Sequence, residues 1–186
     1  MSEPSTIAEA IAVLRRGGVL AYPTEGVWGL GCDPFDEAAV RRLLTLKQRP
    51  PDKGLILVAA SAGQLDGLVD WDALATATRG EVLASWPGPH TWIMPVTSRV
   101  PRWITGAHDS VAVRVSAHPV VAGLCNGYGS ALVSTSANVG GMPAPRTRAE
   151  LDGEIRNGVD AIVAGETSGL AQPTTIRDAR DGRLIR

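Results

Sequence analysis

Apolar residues follow two rhythms along this chain. Some recur at helical spacing on one face, and others form short continuous runs of strand length. The first helix opens at Thr6-Ile7-Ala8-Glu9, a capping box in which a hydroxyl and a carboxylate satisfy each other's backbone N–H groups. It closes at Gly17-Gly18. Residues 19–22 read as a buried strand, Pro23-Thr24-Glu25-Gly26 breaks it, and 27–31 is another short apolar piece. Asp36 can cap a helix carrying Val40, Leu43 and Leu44 on one face. A strand over 55–60 follows, and Ser61-Ala62-Gly63-Gln64 is a second capping box ahead of a short helix.

In the second half, residues 72–86 read as a helix stopped by Pro87-Gly88-Pro89, 91–96 as extended, and 111–115 as a strand. A helix over 118–128 precedes a strand over 131–135. Thr147-Arg148-Ala149-Glu150 is a third capping box, before a helix ending near Gly158, and 159–164 reads as a strand. Residues 174–177 and 183–185 flank Asp181-Gly182, a hairpin signal. Strands alternate with helices, so the class is α/β, with some antiparallel pairing near the C-terminus. No repeat, low-complexity tract or linker interrupts the pattern, which reads as a single domain over 1–186.

The 186 residues suffice for one domain with a sizeable core. The net charge of −1 argues against a protein that coats nucleic acid non-specifically, yet a local basic patch remains compatible with it. Cys32 and Cys125 are far apart and form neither a disulfide framework nor a metal-ligand spacing, so a reducing, cytoplasmic setting is expected. Met1-Ser2-Glu3-Pro4 lacks an apolar secretory core, and the apolar runs fall far short of the ~20 residues that a spanning helix needs.

Candidate chemistry concentrates at Leu46-Lys47-Gln48-Arg49-Pro50-Pro51-Asp52-Lys53-Gly54. The prolines end the preceding helix, leaving Lys47 at its terminus and Arg49 and Lys53 on a loop feeding a strand. Cations held between two rigid elements suit an anion site. The same residues also fit a lysine complementing the helix dipole beside solvated neighbours. Arg114 lies inside an apolar strand, where a cation is costly unless paired. From the residues alone it reads as half of an internal salt bridge. Ser134, Ser136 and Asn138 follow a strand and precede a glycine turn, and by themselves they read as a turn cluster satisfying its own backbone.

The phosphate loop G-x-x-x-x-G-K-[ST] is absent, as are H-E-x-x-H and G-x-S-x-G. Gly29-Leu30-Gly31 starts like a dinucleotide fingerprint, but Pro34 stands at the third glycine position. His90, His108 and His118 are scattered, so no protein metal site is expected.

Five separated pieces recur in one family. Tyr22-Pro23-Thr24-Glu25, Lys47-Gln48-Arg49-Pro50, Pro87-Gly88-Pro89-His90-Thr91, Val113-Arg114-Val115 with His118-Pro119, and Ser134-Thr135-Ser136-Ala137-Asn138 together resemble the YrdC family. The resemblance runs from about residue 7 to Arg186. It implies a twisted mixed α/β sheet with flanking helices around a large cationic concave site. The implied reaction condenses L-threonine, bicarbonate or carbon dioxide, and ATP into L-threonylcarbamoyladenylate, releasing pyrophosphate. This is the first step of threonylcarbamoyladenosine formation beside the tRNA anticodon. ATP is a substrate, and Mg²⁺ is expected to arrive with it. Implied partners are the small-molecule substrates, tRNA and the machinery that transfers the threonylcarbamoyl group, with no membrane.

By resemblance, Lys47 and Arg49 are the catalytic cations. ATP is met by Lys47, Arg49, Lys53, Ser110, Ser136, Asn138, Ala144 and Arg186, and threonine by Thr24, Gly26, Arg114, Ser134 and Thr174. Being loop cations, Lys47 and Arg49 are expected to contribute little to folding. The chain departs from the family pattern at Gly26, where a hydroxyl residue is frequent, and at Gly140, in place of serine. Any threonine contact from Gly26 must come from backbone or water. Two other readings share the pattern: a carbamoyl-transfer YrdC unit, normally embedded in a longer chain, and a non-catalytic RNA-binding module. Low aromatic content, 4%, gives the RNA module little to stack single-stranded bases on.

Overall fold

A computed structural model of the chain describes residues 3–170 and 174–185. Helices are α1 (Ile7–Arg15), α2 (Glu37–Leu46), α3 (Thr76–Ala84), α4 (Arg102–Thr105), α5 (Pro119–Tyr128) and α6 (Gly153–Gly158). Strands are β1 (Leu20–Pro23), β2 (Trp28–Gly31), β3 (Ile56–Ala59), β4 (His90–Pro95), β5 (Ser110–Val115), β6 (Leu132–Ser136), β7 (Ala161–Ile162) and β8 (Thr175–Asp178). They form an eight-stranded sheet in the order β7-β1-β2-β6-β3-β5-β4-β8.

The sheet is more antiparallel than the helix–strand alternation suggests. The short turn after Pro23 forces β1 and β2 into a hairpin. β6 runs antiparallel to both neighbours, pairing with β3 through residues 132–134 and with β2 through Thr135 and Ser136. β4 and β5 are also antiparallel. Parallel pairing joins β1 to β7, β3 to β5 and β4 to β8. The expected C-terminal hairpin forms as a short antiparallel pairing, with Arg177 opposite Leu184 and backbone hydrogen bonds from Asp178 N to the Arg183 carbonyl at 2.9 Å and from Ile185 N to the Ile176 carbonyl at 2.7 Å.

Period-two alternation sorts the strands onto two faces. Leu57, Ala59, Val113 and Val133 join the larger core, with Val40 and Leu43 of α2, Val82 of α3, Ile104 of α4 and Ile155 of α6. Val58 and Leu132 point the other way, into a second core with Leu14 of α1 and Leu124 of α5. The two helices there approach closely because α5 carries Gly123, where a Cβ would come within 2.7 Å of Ile7 Cδ1. This pair of helices covers only part of the second face.

The three capping boxes behave differently. Thr6 and Glu9 form the reciprocal pair, with Glu9 Oε2 accepting from Thr6 N at 2.7 Å. Ser61 makes no cap bond, because Gln64 Oε1 turns back to the Ala60 N–H at 2.8 Å, and only a 3₁₀ turn follows. At the third box Glu150 binds the Arg146 N–H at 2.7 Å, and Asp152 caps α6 instead. The helix expected over 72–86 is two pieces. Asp70 caps a 3₁₀ turn at Trp71–Ala73, Leu74 then tucks into the core in extended backbone, and α3 starts at Thr76.

Candidate functional site

The uncovered part of the second sheet face is the floor of a cavity of about 600 Å³. Cross-strand register builds this floor. Ser134 sits opposite Ile56, Ile56 opposite Ala112, Ala112 opposite Ile93, and Ile93 opposite Asp178. All five line the cavity. Along β5 the two-residue period adds Ser110 and Arg114, and on β8 it aligns Ile176 and Asp178, with Thr174 just before the strand also on the wall. Walls come from the turn at Thr24 and Gly26, the loop from Arg49 to Leu55, the end of α4, Ala144 and Arg146, and the C-terminal residues.

Ten of the sequence-predicted residues stand on this wall: Thr24, Gly26, Arg49, Lys53, Ser110, Arg114, Ser134, Ser136, Ala144 and Thr174. Arg186 lies outside the described residues. Lys47 and Asn138 are elsewhere. Lys47 is the C-cap of α2 and only 4% exposed. Its Nζ donates to the carbonyls of Ser136 and Asn138, the latter at 2.8 Å. In return the Gly140 N–H donates to the Lys47 carbonyl at 2.8 Å. Lys47 thus ends α2 as expected, but it is buried there and its head group does not face the cavity. It fastens the segment after β6 to the end of α2. Burial, with a smaller push from Arg49, holds its pKa down to about 8. Asn138 turns its amide to the carbonyls of Val139 and Met142, at 3.0 and 2.6 Å, and lines a neighbouring hollow with Met142 and Glu150.

Arg49 folds back on its own loop, donating from Nη2 to the Gly54 carbonyl at 2.9 Å. Burial lowers its pKa. Arg114 faces Glu25 Oε2 at 3.8 Å and also lies on the cavity wall. Val58, its cross-strand neighbour, belongs to the α1–α5 core. Arg114 therefore stands at the edge where core gives way to cavity.

The structure adds residues that sequence reasoning missed. Arg146, Arg180 and Arg183 also reach the wall, making six lysine and arginine side chains there against one carboxylate, Asp178. Asp178 is held by Arg180 Nη2 at 2.7 Å, and that hydrogen bond first of all lowers its pKa. Period two from Thr174 could have placed Ile176 and Asp178, but nothing local marks Arg146. Ile104, Thr105 with its buried hydroxyl, and His108 also line the cavity. The surroundings suit a polyanion with an apolar part. Cys32 and Cys125 are both buried away from the cavity wall, and burial pushes both thiols up, Cys125 to about 12. Among the described residues no cluster of histidine, cysteine and carboxylate side chains could hold a metal ion.

A family model for Sua5, YciO and YrdC proteins, described as "Telomere recombination", matches residues 12–186. The chain belongs to this family. A threonylcarbamoyl-AMP synthase of Xanthomonas euvesicatoria is 60% identical over all 186 residues, covering the whole of both chains. One from Xanthomonas oryzae is 59% identical over the same span. Among solved structures, P. abyssi Sua5 complexed with L-threonine superposes with a TM-score of 0.83 at 35% identity. That match covers 92% of this chain but 50% of Sua5, so the chain spans half of that protein's length. E. coli YciO gives 0.84 at 25% identity, covering 97% of this chain and 87% of its own. The family membership and the mixed α/β sheet agree with what the five sequence pieces implied.

Proposed function

We infer that this chain, acting as a single YrdC-like domain, makes L-threonylcarbamoyladenylate from L-threonine, bicarbonate or carbon dioxide, and ATP. The observation that carries this reading is a cavity with six cationic side chains in a protein of net charge −1, set among the family's own loop residues. Two full-length relatives near 60% identity bear the synthase name. In the reaction the threonine amine adds to carbon dioxide and gives up a proton, or adds to bicarbonate with loss of water, and becomes a carbamate. A carbamate oxygen attacks the α-phosphorus of ATP, the bond to the β-phosphate oxygen breaks, and pyrophosphate leaves. Attacking group and triphosphate are both anionic, so the protein's main task is to offset their repulsion and hold them in line.

Arg49 and Lys53 take the nucleotide phosphates, with Ser110, Ser136 and Ala144 along the same side. Apolar wall residues such as Ile104 accept the uncharged part of the nucleotide. Mg²⁺ enters with ATP. Arg114 receives the threonine carboxylate, and Thr24, Gly26, Ser134 and Thr174 surround the amino acid. Thr24 spends its hydroxyl on the Val27 carbonyl at 2.7 Å, so it shapes the turn, and the contact from Gly26 comes from backbone. The product passes to tRNA through a transferring partner. The setting is cytoplasmic, in keeping with the lack of any helix, among the described residues, long and apolar enough to cross a membrane.

The deciding assay is pyrophosphate release with threonine and bicarbonate omitted singly. Release should require both. Release without either, or RNA binding with steep salt dependence and no turnover, would reject the synthase reading.

Two further outcomes follow from the threonine side. Arg114→Lys should raise the threonine KM far more than the ATP KM, because an ammonium cannot replace a planar fork on a carboxylate. A collapsed melting temperature with both KM values moving together would make Arg114 a purely structural cation. Among amino acids the expected order is threonine, serine, valine. Filling a methyl-sized space favours threonine over serine by roughly 10–200-fold. A pocket that binds the hydroxyl, through Ser134 or Thr174, rejects valine more strongly because a buried partner is left unpaired. Valine outcompeting serine for pyrophosphate release would remove that hydroxyl contact.

A further inference from the structure

Behind Arg114 lies a polar chain to which the site reading gives no role. Glu25 sits between two cavity residues, Thr24 and Gly26, yet is not on the wall itself. Its side chain is 10% exposed and turns toward the end of β5. There Oε1 accepts a hydrogen bond from the Ser116 hydroxyl at 2.5 Å, while Oε2 faces Arg114 Nη1 at 3.8 Å. Ser116 is two residues past Arg114, which suits a shared side of the extended backbone. The serine oxygen is itself fixed, because it accepts from the His118 N–H at 3.1 Å. His118 Nδ1 accepts from the Val120 N–H at 3.3 Å, so Nε2 carries the ring hydrogen and donates to the Glu166 carbonyl at 3.0 Å. The backbone of Glu25 is pinned as well, its carbonyl accepting from Leu170 N at 3.0 Å.

We propose that Glu25 and Ser116 are positioning residues that hold Arg114 in register for the carboxylate of the amino-acid substrate. The proposal rests on the reading of Arg114 as the carboxylate site. Buried carboxylate and buried guanidinium offset each other's desolvation. At 3.8 Å the contact is electrostatic and not a bidentate fork, so it aims the guanidinium without imposing the geometry that a substrate carboxylate needs. Ser116 prevents the carboxylate from swinging, and His118 and Glu166 prevent the serine from doing so. The chain thus ties Arg114 to the 166–170 segment, whose Leu170 also lines the cavity.

The test measures KM for threonine and for ATP in pyrophosphate release for Glu25→Gln, Ser116→Ala and Ser116→Thr, with Arg114→Lys alongside. Glu25→Gln keeps the shape and the acceptor for Ser116 but removes the charge facing Arg114. Its threonine KM should rise about tenfold while the ATP KM stays within about twofold. Ser116→Ala should shift the threonine KM in the same direction by less, and Ser116→Thr, which restores a hydroxyl, should return it toward wild type. If Glu25→Gln is too unstable to assay, the two serine variants carry the test. An unchanged threonine KM in folded Glu25→Gln and Ser116→Ala, with Arg114→Lys impaired, overturns the positioning role alone. An unchanged threonine KM in Arg114→Lys overturns the carboxylate reading beneath it. Equal rises in both KM values with a lowered melting temperature, unrelieved by Ser116→Thr, mark the chain as structural and overturn the proposal.

Discussion

Replacing Arg49 by alanine is expected to slow pyrophosphate release about a hundredfold, a loss of roughly 3 kcal/mol of transition-state stabilisation. Arg49 is one of six cations on the wall, and it sits on the loop that leads from α2 to β3. Its guanidinium is only half-buried, so it can reach a phosphate while anchored on the Gly54 carbonyl at 2.9 Å. Charge that develops on the phosphate oxygens in the transition state meets a cation already in place. The stability cost should be small. The hydrogen bonds of Arg49 go to the Lys53 and Gly54 carbonyls of its own loop, two of them long, and together contribute about 1 kcal/mol, or roughly 2–4 °C of melting temperature in a chain of this size. Unchanged turnover in a well-folded Arg49→Ala variant would remove Arg49 from the phosphate site.

Much of the site was legible because it is carried by short-range rules. Period two along β5 puts Ser110, Ala112 and Arg114 on one face, and the strand could be seen from its apolar content. Arg114 stood out because a cation in such a strand demands a partner. Its partner Glu25 was not legible, since the two are 89 positions apart and meet only when the β1–β2 turn folds over β5. The same limit explains the capping boxes. Thr6, Ser61 and Thr147 look alike locally, but Gln64 has a tertiary acceptor in the Cys125 carbonyl at 3.1 Å, and Glu150 has the Arg146 N–H. Strand direction failed for a related reason. Alternating helices and strands suggest parallel crossovers, whereas the direction of β6 is set by the two strands it joins. The missed wall cations, Arg146, Arg180 and Arg183, sit on irregular segments where no period applies.

The second large effect belongs to Lys47, and it concerns stability as much as rate. Lys47→Met should lower the melting temperature by roughly 6–12 °C, contrary to the expectation for a loop cation. The Lys47 Nζ donates to the half-buried carbonyls of Ser136 and Asn138, and it keeps two N–H donors for them when neutral. Removing it leaves both acceptors without that donor, at about 3 kcal/mol in total. Turnover should fall as well, because Ser134 and Ser136 ride on the segment that Lys47 fastens, and a displacement of about 1 Å near the chemistry can cost a hundredfold. The pH dependence separates this role from general loosening. The folded protein holds Lys47 at about 8 by burial, below the usual 10.5 of a lysine, so between these values the unfolded chain binds the extra proton. The contribution of Lys47 to stability therefore rises with pH across that window, and below it the desolvation penalty is fully present. Melting curves of wild type and Lys47→Met should accordingly diverge as pH is raised from about 8 to about 10. Coincident melting at pH 8, or a gap that narrows over that range, would show that Lys47 does not fasten β6 to α2.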